Sequence, residues 1–573
     1  MKKLLYILSI VILASTTSCI EEMTPTEVVS STQVQKMSSV QESMLWGISA
    51  YMVTYNSWNS SDYLNDWGYP CQMYFRELCG ADFPVSKSTY DYWTYYENCS
   101  YTSSYPYYTW NYYYRLVKNA NNLIGAIDPS TNNTDSRHYL GSALAFRAMA
   151  YLDMARLFEF KPTGYEALDA KAEQNGIWGL TVPIVTEKTS NQDVLQNPRV
   201  DFCTMYRFIM NDLRNAEALL SGYEFSDKSL PGIHAVNGLF ARAYMEIGSR
   251  YEETLPQLAD CATKMAASNQ QQDGYGTITE LTAEDCYKQA VQYAEKAMQG
   301  YDYVTKEQWQ SKTDGFNTAN QGWIWRMRIG GKEQLPTYYC SFLGQTATEP
   351  ASGLARYGGA YRCISSQLYD KISNYDWRKT SWLAPTDAGK KSPLVVNKYQ
   401  SLLPDSTLAK VPAYANFKFR PGNGNIEDYN VWLISDLPVM RMEEMQFIKA
   451  EAKARTEGYQ SGLTELKTFV SHRYTNLTNY KPEVTDMDSF LEEMMIQKRI
   501  EFWGEGICFF DLKRLNLQVD RTLSSNIEDA FMIKSKRNYC CPWLNFFIMQ
   551  YETNRNAQCI ANPDVSGYFD TAE

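Results

Sequence analysis

The chain has 573 residues, 44% of them apolar and 21% charged, with a formal net charge of −11. This is enough apolar material to bury a large core. The acidic balance, with no Lys/Arg-rich run, argues against nucleic acid or an anionic membrane surface as partner, since neither would find counter-charge, and suits a neutral or weakly polar ligand.

The N-terminus reads as an export signal. Lys2 and Lys3 precede an apolar run from Leu4 to Ala14, then Ser15, Thr16, Thr17, Ser18 and Cys19. The run falls far short of the ~20 residues that span a bilayer. Small residues leading into a cysteine are what a lipoprotein signal peptidase needs, although Thr16 stands where such sequences usually carry Leu. Residues 1–18 are therefore the expected signal peptide and Cys19 the expected lipidation site. Losing Lys2 and Lys3 takes the formal charge from −11 to −13. Residues 19–41, rich in Ser, Thr and Gln, are expected to form a flexible tether. Without a Pro/Gly/Ser linker beyond it, 42–573 reads as one body.

Helical periodicity comes next. In Gly141 to Phe158, Leu144, Ala148, Tyr151, Ala155 and Phe158 recur at three- and four-residue steps, with Ala143, Ala145 and Ala150 keeping the surface slim for a neighbouring helix. The same mixture recurs at 202–220, 235–248, 286–301 and 443–458. The pairs 235–248 with 286–301, and 443–458 with 461–473, read as helix-turn-helix units similar to tetratricopeptide repeats, though without a strict period of about 34 residues. The expected fold is mainly α, a helical-repeat scaffold over about 110–160, 200–301 and 436–515. Long irregular, aromatic-rich insertions at about 55–109 and 305–435 carry a few short strands.

Aromatics are 14% of the chain, including 44 Tyr and 14 Trp. Between Tyr90 and Arg115 alone stand eleven Tyr and two Trp, interleaved with Asn, Ser and Thr. A sugar ring presents an apolar C–H face and a rim of hydroxyls, so its binder needs flat aromatic faces bordered by polar side chains. Trp110, Tyr113, Leu116 and Val117 lie at helical spacing and are expected in the core. Trp93, Tyr95 and Tyr96 have no such spacing and are ligand candidates. Tyr338, Tyr339, Tyr357 and Tyr361, in or beside Gly-rich sequence, are further candidates. Trp323 and Trp325 alternate with Ile324 and Arg326 as in a strand with one face in the core.

Chemistry is sparse. There is no G-x-S-x-G, H-E-x-x-H, P-loop or EF-hand loop. The run Arg420 to Asn425 is Gly-rich but lacks the Lys of a phosphate cradle and reads as a turn. With only three histidines and no C-x-x-C, zinc spacing is missing, and no cofactor is expected. Beyond Cys19 there are twelve cysteines, whose spacing shows no repeated framework and gives no connectivity.

Five stretches, in order, resemble the SusD/RagB family of nutrient-binding lipoproteins. They are the lipobox and acidic start Cys19 to Glu22; the W…Y…AN-type helix Thr109 to Ile124; Phe146 to Phe158 followed by Gly179-Leu180 and Val182-Pro183; Asp436 to Arg455; and Ile496 to Leu515. Gln497, Lys498, Cys508 and Glu443 depart from the family pattern. The resemblance implies a lipid-anchored protein on the outer-membrane surface, docked on a SusC-like TonB-dependent transporter, that binds an oligosaccharide, polysaccharide or peptide on an irregular face. Ala81 to Tyr96 occupies the place where relatives present binding aromatics, which adds Asp82 to the candidates. Arg441, Glu444, Glu451, Glu501, Glu505, Asp511 and Arg514 are expected to be architectural charge pairs rather than a catalytic set. Two other readings stay open: a surface glycoside hydrolase with two facing carboxylates, and a structural adaptor of the transporter without a ligand site of its own.

Overall fold

In a computed structural model, which describes residues 37–55, 66–87, 104–267, 273–335 and 340–568, the long helices pack one on the next in sequence order. They are α1 (Ser38–Tyr51), α2 (Tyr69–Leu78), α3 (Ser104–Ala126), α4 (Thr134–Phe158), α5 (Phe202–Leu219), α6 (Ile233–Tyr251), α7 (Ala283–Met298), α8 (Met442–Glu457), α9 (Tyr459–Ser471), α10 (Met487–Glu501) and α11 (Cys508–Arg514). From α3 to α10 each helix contacts its successor, and α1 lies across α3 and α4. The two expected pairs, α6 with α7 and α8 with α9, are neighbours.

Local chemistry explains the boundaries. The Asn133 and Asp201 side chains accept from Ser136 N and Thr204 N and so cap α4 and α5. Thr282 caps α7, with Glu284 and Asp285 in its first turn and Lys296 in its last, the charge order the helix dipole favours. Ala143, Ala145, Ala148 and Ala150 of α4 are almost completely buried, so their small size is spent on close helix approach. Trp110, Tyr113, Leu116 and Val117 lie in the core as expected. Gly504 and Gly506, both at positive φ, end the run from α10 and turn the chain into α11. A Cβ at either would strike Phe419 or the Met73 backbone.

The folded body starts earlier than residue 42. Ser38 opens α1, and Gln41, 1% exposed, accepts a hydrogen bond from Ser136 Oγ at 2.5 Å. The expected 55–109 insertion contains a full helix, α2, nearly all of it buried. The 305–435 insertion leaves the stack after α7 and returns at α8, and these two helices touch directly. Its base is a two-stranded antiparallel sheet of β1 (Trp323–Ile329) and β2 (Ser435–Arg441), with Trp323 opposite Arg441 and Ile329 opposite Ser435. Trp323 and Trp325 are fully buried, but Ile324 is buried too. The alternation marks a strand, yet both of its faces are covered there.

A buried ionic cluster joins the insertion to the helices. Glu501 of α10 accepts from Arg378 at 3.0 Å, from Arg441 at 3.0 Å and from Arg473 at 2.9 and 3.0 Å. Arg441 also donates to both oxygens of Glu505 and pairs with Glu443 at 2.9 Å, while Arg473 donates to Glu443 at 2.9 Å. Lys418, from the insertion, donates to Glu505 at 2.6 Å and to the carbonyls of Glu501 and Trp503. Nearby, Arg514 grips Glu451 and Asp511, Lys498 pairs with Asp511, and Arg242 grips Glu444. The departures Glu443, Gln497 and Lys498 are thus absorbed as partners, Gln497 through Arg378 at 2.6 Å. Every member of the charge signature thus has a buried ionic partner.

Burial alone would raise the Glu501 carboxyl, but Arg473, Arg441 and Arg378 hold it well below the usual range. Burial likewise opposes ionisation of Glu451, yet Arg514 and Arg455 bring it down to about 2. Two predictions follow from these pairings. Glu501→Gln leaves three guanidiniums short of their counter-charge and should cost about 3–5 kcal/mol, read as a lower guanidinium unfolding midpoint. An unchanged midpoint would show the cluster to be energetically idle. Because both carboxyls are depressed in the folded state, their stabilisation is fully present above the ordinary glutamate range and is lost as pH falls from about 4.5 toward 2. Unfolding midpoints measured from pH 7 down to pH 3 should fall only in the acid limb.

Candidate functional site

Residues 82–86 run antiparallel to 361–365 as a short ladder. Ser365 N donates to Asp82 O at 3.3 Å, Cys363 N to Pro84 O at 2.8 Å and Ser86 N to Tyr361 O at 2.8 Å, with Val85 bridged to Arg362. Arg362, 1% exposed, fastens it from below, donating to Tyr74 Oη at 2.7 Å and Phe83 O at 3.1 Å. Val85, Leu354 and Ala360 form a small apolar cluster of their own under its far end.

Two sequence candidates stand at opposite ends of this ladder. Asp82 takes Arg499 of α10 in a two-pronged pair at 2.6 and 2.7 Å and also accepts from Ser365 Oγ at 3.0 Å, while Trp503 Nε1 donates to its carbonyl at 2.6 Å. Although burial opposes its charge, Arg499 is held protonated by Asp82. The Asp82 side chain therefore pins the ladder to α10. It also borders a cleft of about 920 Å³ with Gln367, Lys371, Glu492 and Asp520. At the other end, Leu354–Gly358 forms a single π-helical turn ended by Gly359 at φ +74°. Tyr357 projects from it, 76% exposed, while Leu354 and Ala355 of the same turn are buried. Ser86 Oγ donates to Gly359 O and accepts from Tyr361 N, so this turn sits beside the last residues described before the Tyr/Trp-rich stretch. Tyr361 is half-buried there, and burial raises its hydroxyl.

Cys19, Trp93, Tyr95, Tyr96, Tyr338 and Tyr339 lie outside the described residues. Of the described residues near these stretches, Tyr105 packs on α2 and Gln334 pairs with Tyr55. Tyr55 N donates to Gln334 O at 3.4 Å, and the Tyr105 ring packs edge-on against Phe75 at 4.5 Å.

Two further clefts went unsingled in the sequence. One, of about 890 Å³, has Tyr369, Trp377 and Tyr399 at its floor and Asn374, Tyr375 and Asn397 at its rim. Its aromatics come singly from one stretch of about thirty residues, in or just after short helices, and form no aromatic run. The other, of about 570 Å³, combines Trp110, Tyr114 and Tyr551 with Asn111, Asn122 and Asn191. Both volumes suit a small ligand. Among the described residues, no group of His, Cys, Asp or Glu side chains could hold a metal ion, and no helix is long and apolar enough to cross a membrane.

Comparison with known proteins adds a family. Residues 72–245 match a SusD-like model described as starch-binding and associating with the outer membrane, and residues 412–568 match the SusD family model. A SusD-like carbohydrate binding protein from Bacteroides vulgatus has the same fold at 19% identity, TM-score 0.62, over 91% of this chain and 97% of its own. A second SusD superfamily protein from the same organism reaches TM-score 0.63 at 16% identity over 92% and 99%. One from Bacteroides thetaiotaomicron reaches 0.59 at 17% over 92% and 100%. No curated protein matches the sequence. The two matches take in α3 to α6 at one end and the ionic cluster of α8 to α11 at the other, on a fold shared over nine-tenths of the length. This chain belongs to the SusD/RagB family.

Proposed function

We propose that this protein captures a glycan at the outer-membrane surface and passes it to a SusC-like TonB-dependent transporter, without chemistry of its own. The family description, starch-binding and associating with the outer membrane, supports the ligand class and the location. A lipid on Cys19 would hold the body at the membrane by its N-terminus, with the residues before α1 as tether.

The observation that carries the reading is Tyr357. A large ring three-quarters exposed, on a turn anchored by the buried Leu354 and Ala355, offers a flat face at the modest rotamer cost of a side chain with two χ angles. It stands next to the point where the chain enters its densest run of Tyr and Trp. We assign Tyr357, Trp93, Tyr95, Tyr96, Tyr338 and Tyr339 to stacking against sugar rings. Asp82 is assigned to holding the ladder at whose far end Tyr357 stands.

The test is affinity electrophoresis and calorimetry of residues 20–573 against a polysaccharide panel, with Tyr357→Ala and Trp93→Ala. Loss of one stacking face should weaken binding by about 1–3 kcal/mol, as for ring-on-ring stacking, which is roughly five- to 150-fold. No reducing sugar should be released. Release of product would make the protein a hydrolase, and undiminished binding by both variants would move the site elsewhere.

A further inference from the structure

The Sγ atoms of Cys203 and Cys261 lie 3.0 Å apart. That is about 1 Å beyond the bonded separation of about 2.05 Å. Both residues are buried, at 5% and 1% exposure, and both are thiols in this structure. Cys203 is the second residue of α5, and Cys261 opens a short helix, Cys261–Ala266, that packs on α5.

The place matters. Between the end of α6 and residue 267 the chain is mostly exposed, and only Leu258, Cys261 and Met265 are buried. A six-residue helix is far too short to persist on its own and depends on tertiary contacts. A covalent tie at its first residue would hold this connection against the helix stack by removing loop-closure entropy from the unfolded chain.

We propose that Cys203 and Cys261 are joined by a disulfide in the exported protein, stapling the α6–α7 connection to α5. The oxidant is a thiol–disulfide oxidoreductase of the periplasm. One cysteine thiolate attacks the enzyme's disulfide and releases one enzyme thiol. The second cysteine then attacks the mixed disulfide and releases the other. The two cysteines lose two electrons and two protons, and the enzyme leaves as a dithiol. Because both sulfurs end up buried, exchange takes place before the connection docks, and the finished bond is shielded from reductant.

The full chain is taken from the outer-membrane fraction, alkylated without reduction, digested and analysed by mass spectrometry. The expected result is a linked pair of peptides containing Cys203 and Cys261. Reductant present during thermal unfolding, which exposes the bond and cleaves it, should lower the unfolding midpoint of the wild type by several degrees and leave Cys203→Ser/Cys261→Ser unchanged. Recovery of both cysteines as alkylated thiols, or an equal response of wild type and double variant to reductant, overturns the proposal. The staple rests on export, so the chain is also refolded in a glutathione redox buffer. If it is found in the cytosol, the surface function fails, while formation or failure of the bond in that buffer still decides whether this pair closes.

Discussion

Glu501 sits where three separately encoded parts of the chain meet, and its charge obliges them to meet there. Arg378 comes from the 305–435 insertion, Arg441 from the end of β2, and Arg473 from just beyond α9. All four side chains are fully buried. An isolated buried guanidinium or carboxylate is expensive, so none of these segments can dock without the others. Glu443, Glu505 and Lys418 extend the same logic, adding charge-assisted hydrogen bonds to Arg473 and Arg441 and between Lys418 and Glu505. A hydrophobic patch would tolerate sliding, whereas bidentate guanidinium pairs fix register and angle.

The proposed ligand face hangs from this joint. Lys418 and Arg378 bring the insertion down onto α10, and two residues before Glu501 the same helix offers Arg499 to Asp82. The 82–86 strand is thereby fastened, the 361–365 strand pairs with it, and the π turn that carries Tyr357 is set at the ladder's end. An irregular segment with few hydrogen bonds of its own thus acquires the rigidity of the helical stack. Irregular backbone at a surface is the usual bearer of specificity, and here it is held from beneath by ionic pairs.

Helices were readable because their signal is local. The three- and four-residue spacing of α4, α5, α6 and α7 shows in any short window, and caps such as Thr282 sit next to the element they start. The charge signature was readable as well, because a resemblance placed Arg441, Glu501 and Glu505 in one packed region. Its partners Arg378 and Lys418 were not, since they come from a stretch without periodicity and meet Glu501 only in the fold. Ile324 misled for a related reason: alternation reports a strand, but what covers its second face is a long-range fact. The Tyr369–Trp377–Tyr399 cleft was missed for another reason: its rings lie within about thirty residues but stand singly, with no aromatic run. Asp82 illustrates the converse, a residue picked for ligand contact whose carboxylate is already taken by Arg499 and Ser365.

The central claim is that an aromatic face at the Tyr357 end of the ladder receives the sugar, and the most direct measurement is a crystal structure of residues 20–573 with a bound oligosaccharide from the polysaccharide that binds tightest. The account predicts sugar rings stacked on Tyr357 and on side chains of the Tyr90–Tyr96 stretch. Sugar bound instead in the cleft over Trp377 and Tyr399, or in that beside Trp110 and Tyr551, with Tyr357 left bare, would contradict it.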